Sequence, residues 1–98
     1  MTVTHTLEEQ VLTFTIQGRL DSATAGEFSD YINGALTDDV TKVVMDMSGV
    51  DFISSKGIRI LVSTYKKLDG GALVIRGANP SVSEVLRLSG LLEIFIVE

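Results

Sequence analysis

The chemistry available to this chain gathers in one short run, Phe52-Ile53-Ser54-Ser55-Lys56-Gly57. Two neighbouring hydroxyls stand just before Ile58, Leu61, Val62, Tyr65 and Leu68, which are spaced i, i+3, i+4, i+7 and i+10. That spacing is the apolar stripe of an amphipathic helix. A serine at a helix start has two uses. Its oxygen can accept a hydrogen bond from an unpaired backbone N–H, a cap worth about 1 kcal/mol. Phosphorylated, it would hold a dianion where the free N–H groups and the helix dipole favour negative charge. Ser54 or Ser55 is therefore the cap. A phosphate on Ser55 would leave the helix folded and change what a docking partner meets.

Most other chemistry is excluded by composition. The 98 residues contain no cysteine and a single histidine, His5. This removes thiolate catalysis, disulfides, sulfur-ligated zinc and any histidine cluster. His5 reads as a surface residue on a strand. No phosphate-binding glycine loop, dinucleotide fingerprint or zinc-protease motif is present. Asp21, Asp46 and Asp51 are the acids that could pair as general acid and base. Each has a simpler place: Asp21 capping a helix, Asp46 ending a strand, Asp51 in a loop. No catalytic residue, metal ligand or cofactor site is expected. Eight basic against thirteen acidic residues give a net charge of −5, which disfavours direct nucleic-acid binding. The N-terminus lacks the basic and apolar segments of a signal peptide. No apolar run approaches the roughly 20 residues that span a bilayer. The expectation is one soluble, cytoplasmic domain over residues 1–98 that buries about two-thirds of its unfolded surface.

Several elements must position the serine pair. Leu12, Phe14 and Ile16 alternate with Val11, Thr13 and Thr15, the period of a half-buried strand. Residues 2–6 form its hairpin partner across Glu8-Glu9-Gln10. Gly18-Arg19-Leu20-Asp21-Ser22 is read as a break, with Asp21 or Ser22 capping the next helix. Phe28, Tyr31, Ile32, Ala35 and Leu36 are that helix's apolar stripe. Residues 40–47, VTKVVMDM, suit a strand buried on both faces, and 48–51 suit the loop after it. The serine helix stops at Gly70-Gly71, and 72–75 form another short strand. A third helix starts at Asn79-Pro80-Ser81, with Ser81 and Glu84 spaced as a capping box and Val82, Val85, Leu86 and Leu88 facing inward. Gly90 ends it, and 94–97 are a last strand. A hairpin followed by alternating helices and strands implies an α/β fold with a mostly parallel sheet. In such sheets functional groups gather at the carboxyl edge, where Ser54 and Ser55 fall.

Three segments resemble the STAS domain of bacterial anti-sigma factor antagonists. Gly18-Arg19-Leu20-Asp21-Ser22-Ala23-Thr24 is similar to the pattern G-x-(L/F)-D-x-x-(T/N/S). Val43-Val44-Met45-Asp46-Met47, then Val50-Asp51-Phe52-Ile53-Ser54-Ser55-Lys56-Gly57-Ile58-Arg59, is similar to a buried strand and its phosphorylation loop. Asn79-Pro80-Ser81-Val82 through Leu88-Ser89-Gly90-Leu91 is similar to the family's third segment. Together they cover nearly the whole chain in order.

The resemblance implies a switch that regulates transcription indirectly. The unphosphorylated protein would bind an anti-sigma factor that is also a serine kinase of the GHKL type, freeing a sigma factor. Phosphorylation would end the complex, and a PP2C-type phosphatase would reset it. The implied acceptor is Ser55, with Ser54 as rival. The implied partner-binding residues are Asp21, Ser22, Thr24, Ser54, Ser55, Lys56, Gly57 and Arg59. The alternative is an unphosphorylated STAS subunit of a lipid or anion transport complex, bound to its ATPase subunit. Two positions depart from the common pattern, which has aspartate where Ser54 stands and Ser or Thr where Lys56 stands. The family's usual C-terminal helix has no counterpart after residue 97. The surface it would cover is expected to be open to self-association, as in a homodimer.

Overall fold

A computed structural model describes residues 1–98. Thr2–Glu8 (β1) and Val11–Leu20 (β2) pair antiparallel around Glu9-Gln10. Leu12, Phe14 and Ile16 point into the core and are fully buried, as their alternation predicts. Each such side chain contributes roughly 1.5–3 kcal/mol on leaving water. The expected break at Gly18 does not occur. β2 continues to Leu20 because its partner strand, Lys42–Ile53 (β3), continues beside it.

The expected loop at 48–51 is thus the second half of β3. Two register shifts explain the misreading. Thr15 and Gln17 face Asp46 and Gly49, and Gly18 and Arg19 face Val50 and Phe52. At each place β3 carries one extra residue, a β-bulge. The bulges aim Met47, Val50 and Ile53 inward at intervals of three rather than two. Gly49 lies in the first bulge, where a Cβ would come within 2.8 Å of the Gln17 side chain and 3.1 Å of the Ile16 carbonyl.

The remaining elements are helices Ala25–Ala35 (α1), Ser55–Lys67 (α2) and Pro80–Leu88 (α3), strands Ala72–Arg76 (β4) and Ile96–Val97 (β5), and a 3-10 turn at Leu91–Glu93. The sheet order is β1-β2-β3-β4-β5, parallel from β2 onward. Right-handed crossovers that all step the same way place all three helices on one face. One cluster of 20 buried residues fills that side, joining Phe14, Met45 and Ile75 to Phe28, Ile32, Leu61, Val82 and Leu86. Val43, Val44 and Met45 are all buried, as expected of an apolar run at 40–47 that suits a strand buried on both faces. Val43 and Met45 belong to that cluster, while Val44 is buried outside it, beside its sheet neighbours Thr13 and Val74.

Helix starts also differ from expectation. Asn79, not Ser81 with Glu84, caps α3; its Oδ1 accepts from the Val82 N–H at 2.8 Å. Glu84 turns to Arg87 instead. Leu88 was expected inside and is 72% exposed. The last strand begins at Ile96 rather than 94.

Candidate functional site

β3 pairs with β4 only as far as Asp46 and Arg76, but pairs with β2 on to Leu20 and Ile53. The two strands therefore project as a ribbon beyond the rest of the sheet. Its tip carries both candidate segments. The Ser54 N–H donates to the Leu20 carbonyl at 2.8 Å, so the Asp21 turn and the serine pair leave the ribbon side by side.

The turn is tied internally. Asp21 Oδ1 accepts from the N–H groups of Ala23 at 3.0 Å and Thr24 at 3.1 Å. The Asp21 N–H donates to Thr24 Oγ1 at 3.0 Å, and the Thr24 hydroxyl donates to the Arg19 carbonyl at 2.8 Å. Thr24 is the residue before α1 but its side chain does not cap the helix. Neither expected cap bonds the helix through its side chain: Asp21 ties the turn before α1, only its backbone carbonyl accepts from the Ala25 N–H, at 2.9 Å, and Ser22 takes no part. Loss of surrounding water pushes the Asp21 carboxyl up. Hydrogen bonds from the Thr24 and Ala23 N–H groups, the Thr24 hydroxyl and Arg19 outweigh that and hold it below the ordinary 3.8. Arg19 also approaches Asp21 at 3.5 Å and lies over the Phe52 ring, 4.5 Å from its centre.

The two serines are used differently. Ser54 is extended, half-buried and caps α2, its Oγ accepting from the Gly57 N–H at 3.2 Å. Ser55 is the first residue of α2. It is exposed, and its hydroxyl has no hydrogen-bond partner within the protein. Gly57 is buried, and a Cβ there would lie 2.8 Å from Leu20 Cγ and 3.0 Å from Ile53 Cγ1. Close approach to the ribbon, not a positive φ, excludes a larger residue.

Lys56 and Arg59 project from the first turns of α2 and form no ion pair. With Ser22, Gly26 and Ser29 they line a groove of about 370 Å³ between α1 and α2. The structure thus gathers Ser22, Lys56 and Arg59 in the groove, Asp21 and Thr24 in the turn, and Ser54, Ser55 and Gly57 at the start of α2. Sequence reasoning missed Gly26 and Ser29. No local pattern marked them, since they come beside Lys56 and Arg59 only through the fold. The same reasoning also missed a smaller cleft of about 170 Å³ on the α3 side, where Phe52, 40% exposed, meets Ser81, Val82 and Val85. Asp46 and Asp51 lie on β3, and Asp46 is occupied by the Ser48 N–H and hydroxyl at 3.1 and 2.8 Å. His5 is exposed as expected, with Nδ1 2.7 Å from the Tyr31 hydroxyl.

Comparison with known proteins agrees with this fold. BtrV of Bordetella bronchiseptica, provisionally described as an anti-sigma factor antagonist, is 34% identical over 84 residues, covering 84% of this chain and 72% of its own length. The anti-sigma-F factor antagonist RsfB of Mycobacterium tuberculosis is 34% identical over 68 residues, covering 69% of this chain and 56% of its own length. An anti-sigma factor antagonist structure from Mycobacterium paratuberculosis superposes with a TM-score of 0.88 at 27% identity, over 98% of this chain and 83% of that one. The Bacillus cell fate determinant SpoIIAA in its phosphorylated form shares the fold at 17% identity, with a TM-score of 0.76, over 99% of this chain and 91% of that one. The STAS domain profile matches residues 3–98, and with a hairpin-led sheet whose β2–β3 ribbon presents the serine pair, this chain belongs to the STAS domain family.

Proposed function

We propose that this chain is an anti-sigma factor antagonist whose binding is switched at Ser55. Unphosphorylated, it binds an anti-sigma factor of the GHKL serine kinase type and so frees a sigma factor. The kinase transfers the γ-phosphoryl group of ATP to Ser55. The Oγ–P bond forms, the bond to the leaving ADP breaks, and the hydroxyl gives up its proton. A PP2C-type phosphatase hydrolyses the ester and resets the switch.

The observation that carries this reading is the contrast between two adjacent hydroxyls. Ser54 is turned into the helix start as its cap, while Ser55 is exposed and free. A phosphate adds about −1.5 to −2 charges at neutral pH. At Ser55 it lies at the positive end of α2, where the helix tolerates it. The effect falls on the partner. Asp21, in the turn beside the serine pair, is already paired with Arg19 at 3.5 Å, so the dianion on Ser55 is the charge that changes at this surface. Like charges forced together at a docked surface cost several kcal/mol, and each ~1.4 kcal/mol is a factor of ten in affinity.

Calorimetric titration of the anti-sigma kinase from the same genome tests this. Ser55→Asp should weaken binding at least about tenfold while thermal unfolding stays unchanged. A folded Ser55→Asp protein that binds as tightly as wild type excludes charge at Ser55 as the switch.

A further inference from the structure

The chain has eight basic residues in a molecule of net charge −5. Four are engaged within the protein: Arg19 with Asp21, Lys67 with Asn33, Arg76 with Glu98 and Arg87 with Glu84. Of the four without such a partner, Lys42 opens β3 and Lys66 lies in the last turn of α2, both at the pole away from Ser55. The other two, Lys56 and Arg59, line the same groove between α1 and α2. No acidic residue lines that groove, although acids outnumber bases thirteen to eight in the chain. Its other polar groups are the hydroxyls of Ser22 and Ser29, which have no partner within the protein and can donate. The space beside Gly26 is open: a Cβ there would meet nothing within 4 Å. At about 370 Å³ it falls at the small end of the range for ligand-sized cavities, about 300–1,000 Å³. The cleft between the other ends of α1 and α2 differs: Asp38 and Asp69 stand beside Lys67 there, so its charge is mixed.

We propose that this groove seats a carboxylate side chain of the anti-sigma factor, held by the Lys56 ammonium and the Arg59 guanidinium and hydrogen-bonded by Ser22 and Ser29. The inference rests on the reading of the chain as an antagonist and names the chemistry of the partner's contact. Two cations in a site without acids are complementary to an anion. A protein carboxylate is the occupant because the groove opens beside Ser55, on the surface that the kinase must reach. Arg59 presents a planar fork suited to a bidentate carboxylate, and Lys56 adds a point charge.

The test uses the full unphosphorylated chain and the anti-sigma kinase from the same genome. Lys56→Glu and Arg59→Glu should each weaken binding at least about tenfold, and the double variant about a hundredfold. Thermal unfolding should not move, because both side chains are exposed. Raising ionic strength should weaken the wild-type complex more than the double variant's. Replacing the matching partner acid by lysine should restore binding to Arg59→Glu. A wild-type complex that forms while both charge reversals bind within about twofold of it overturns the groove alone. Failure of the wild-type chain to bind overturns the functional reading and the groove with it. If inorganic phosphate, or self-association on concentration, shifts the amide resonances of Ser22, Ser29, Lys56 and Arg59 while the anti-sigma factor does not, the occupant is not a partner carboxylate and the proposal fails.

Discussion

At the start of α3 the cap is doubly committed: Asn79 Oδ1 accepts from the Val82 N–H at 2.8 Å and its amide donates to the Val50 carbonyl at 3.1 Å. The next residue is Pro80, which has no N–H to satisfy and a fixed φ. At the start of α2, on the same edge of the sheet, the cap is a serine at 3.2 Å and the next residue is a second serine whose hydroxyl bonds to nothing. Three residues after each cap, α3 has a buried Val82 and α2 has Gly57 pressed against Leu20. One helix start is tied down by a long-range hydrogen bond. The other is set tightly on the ribbon and leaves a reactive group facing outward. The difference teaches that a modifiable site needs a rigid base and an unused hydroxyl together.

The contrast can be broken at several points. The largest effect on stability is expected where the two starts differ most in packing. Valine is accommodated at position 82, but Gly57→Val must displace Leu20 and Ile53 and should cost about 1–3 kcal/mol, read by urea unfolding. The caps come next. Asn79→Ala should cost about 2 kcal/mol, because it removes the cap and orphans the Val50 carbonyl. Ser54→Ala should cost about 1 kcal/mol. Ser55→Ala should stay within about 0.5 kcal/mol of wild type. Equal losses for Ser54→Ala and Ser55→Ala would erase the distinction between the two hydroxyls.

The smallest effect concerns the turn opposite the serines. The folded-state pKa of Asp21 is lowered, so its stabilising contribution is present above the unfolded value, about 3.9. It is lost as pH falls through the folded value. Wild type should therefore exceed Asp21→Asn in stability at neutral pH and converge with it in acid. A gap that persists unchanged to pH ~2 would mean that the carboxylate's charge does not hold the turn.

Much of this was legible in the residues. The alternation of Leu12, Phe14 and Ile16 and the stripe of Ile58, Leu61, Val62 and Tyr65 report local periods that packing preserves. The serine pair was legible because a short hydroxyl run before an apolar stripe has few meanings. The second half of β3 was not. Two bulges turned a period of two into a period of three, and Ser48-Gly49 then reads like a turn. The cap of α3 was missed because Asn79 is chosen partly by the Val50 carbonyl, 29 residues away in sequence. The groove between α1 and α2 was invisible for the same reason: Ser29 and Arg59 meet only through the fold. Local chemistry can be read from the chain, but contacts chosen across it cannot.

The central claim is that Ser55 is the switch, and site mapping tests it most directly. The chain is incubated with the GHKL anti-sigma kinase of the same genome and ATP, and the product is digested and sequenced by mass spectrometry. One phosphate is expected, on Ser55. Labelling of Ser54→Ala is expected, with no labelling of Ser55→Ala and none on Ser81, the exposed serine near the start of α3. Phosphate on Ser54, or labelling of Ser55→Ala at the wild-type level, would contradict that claim.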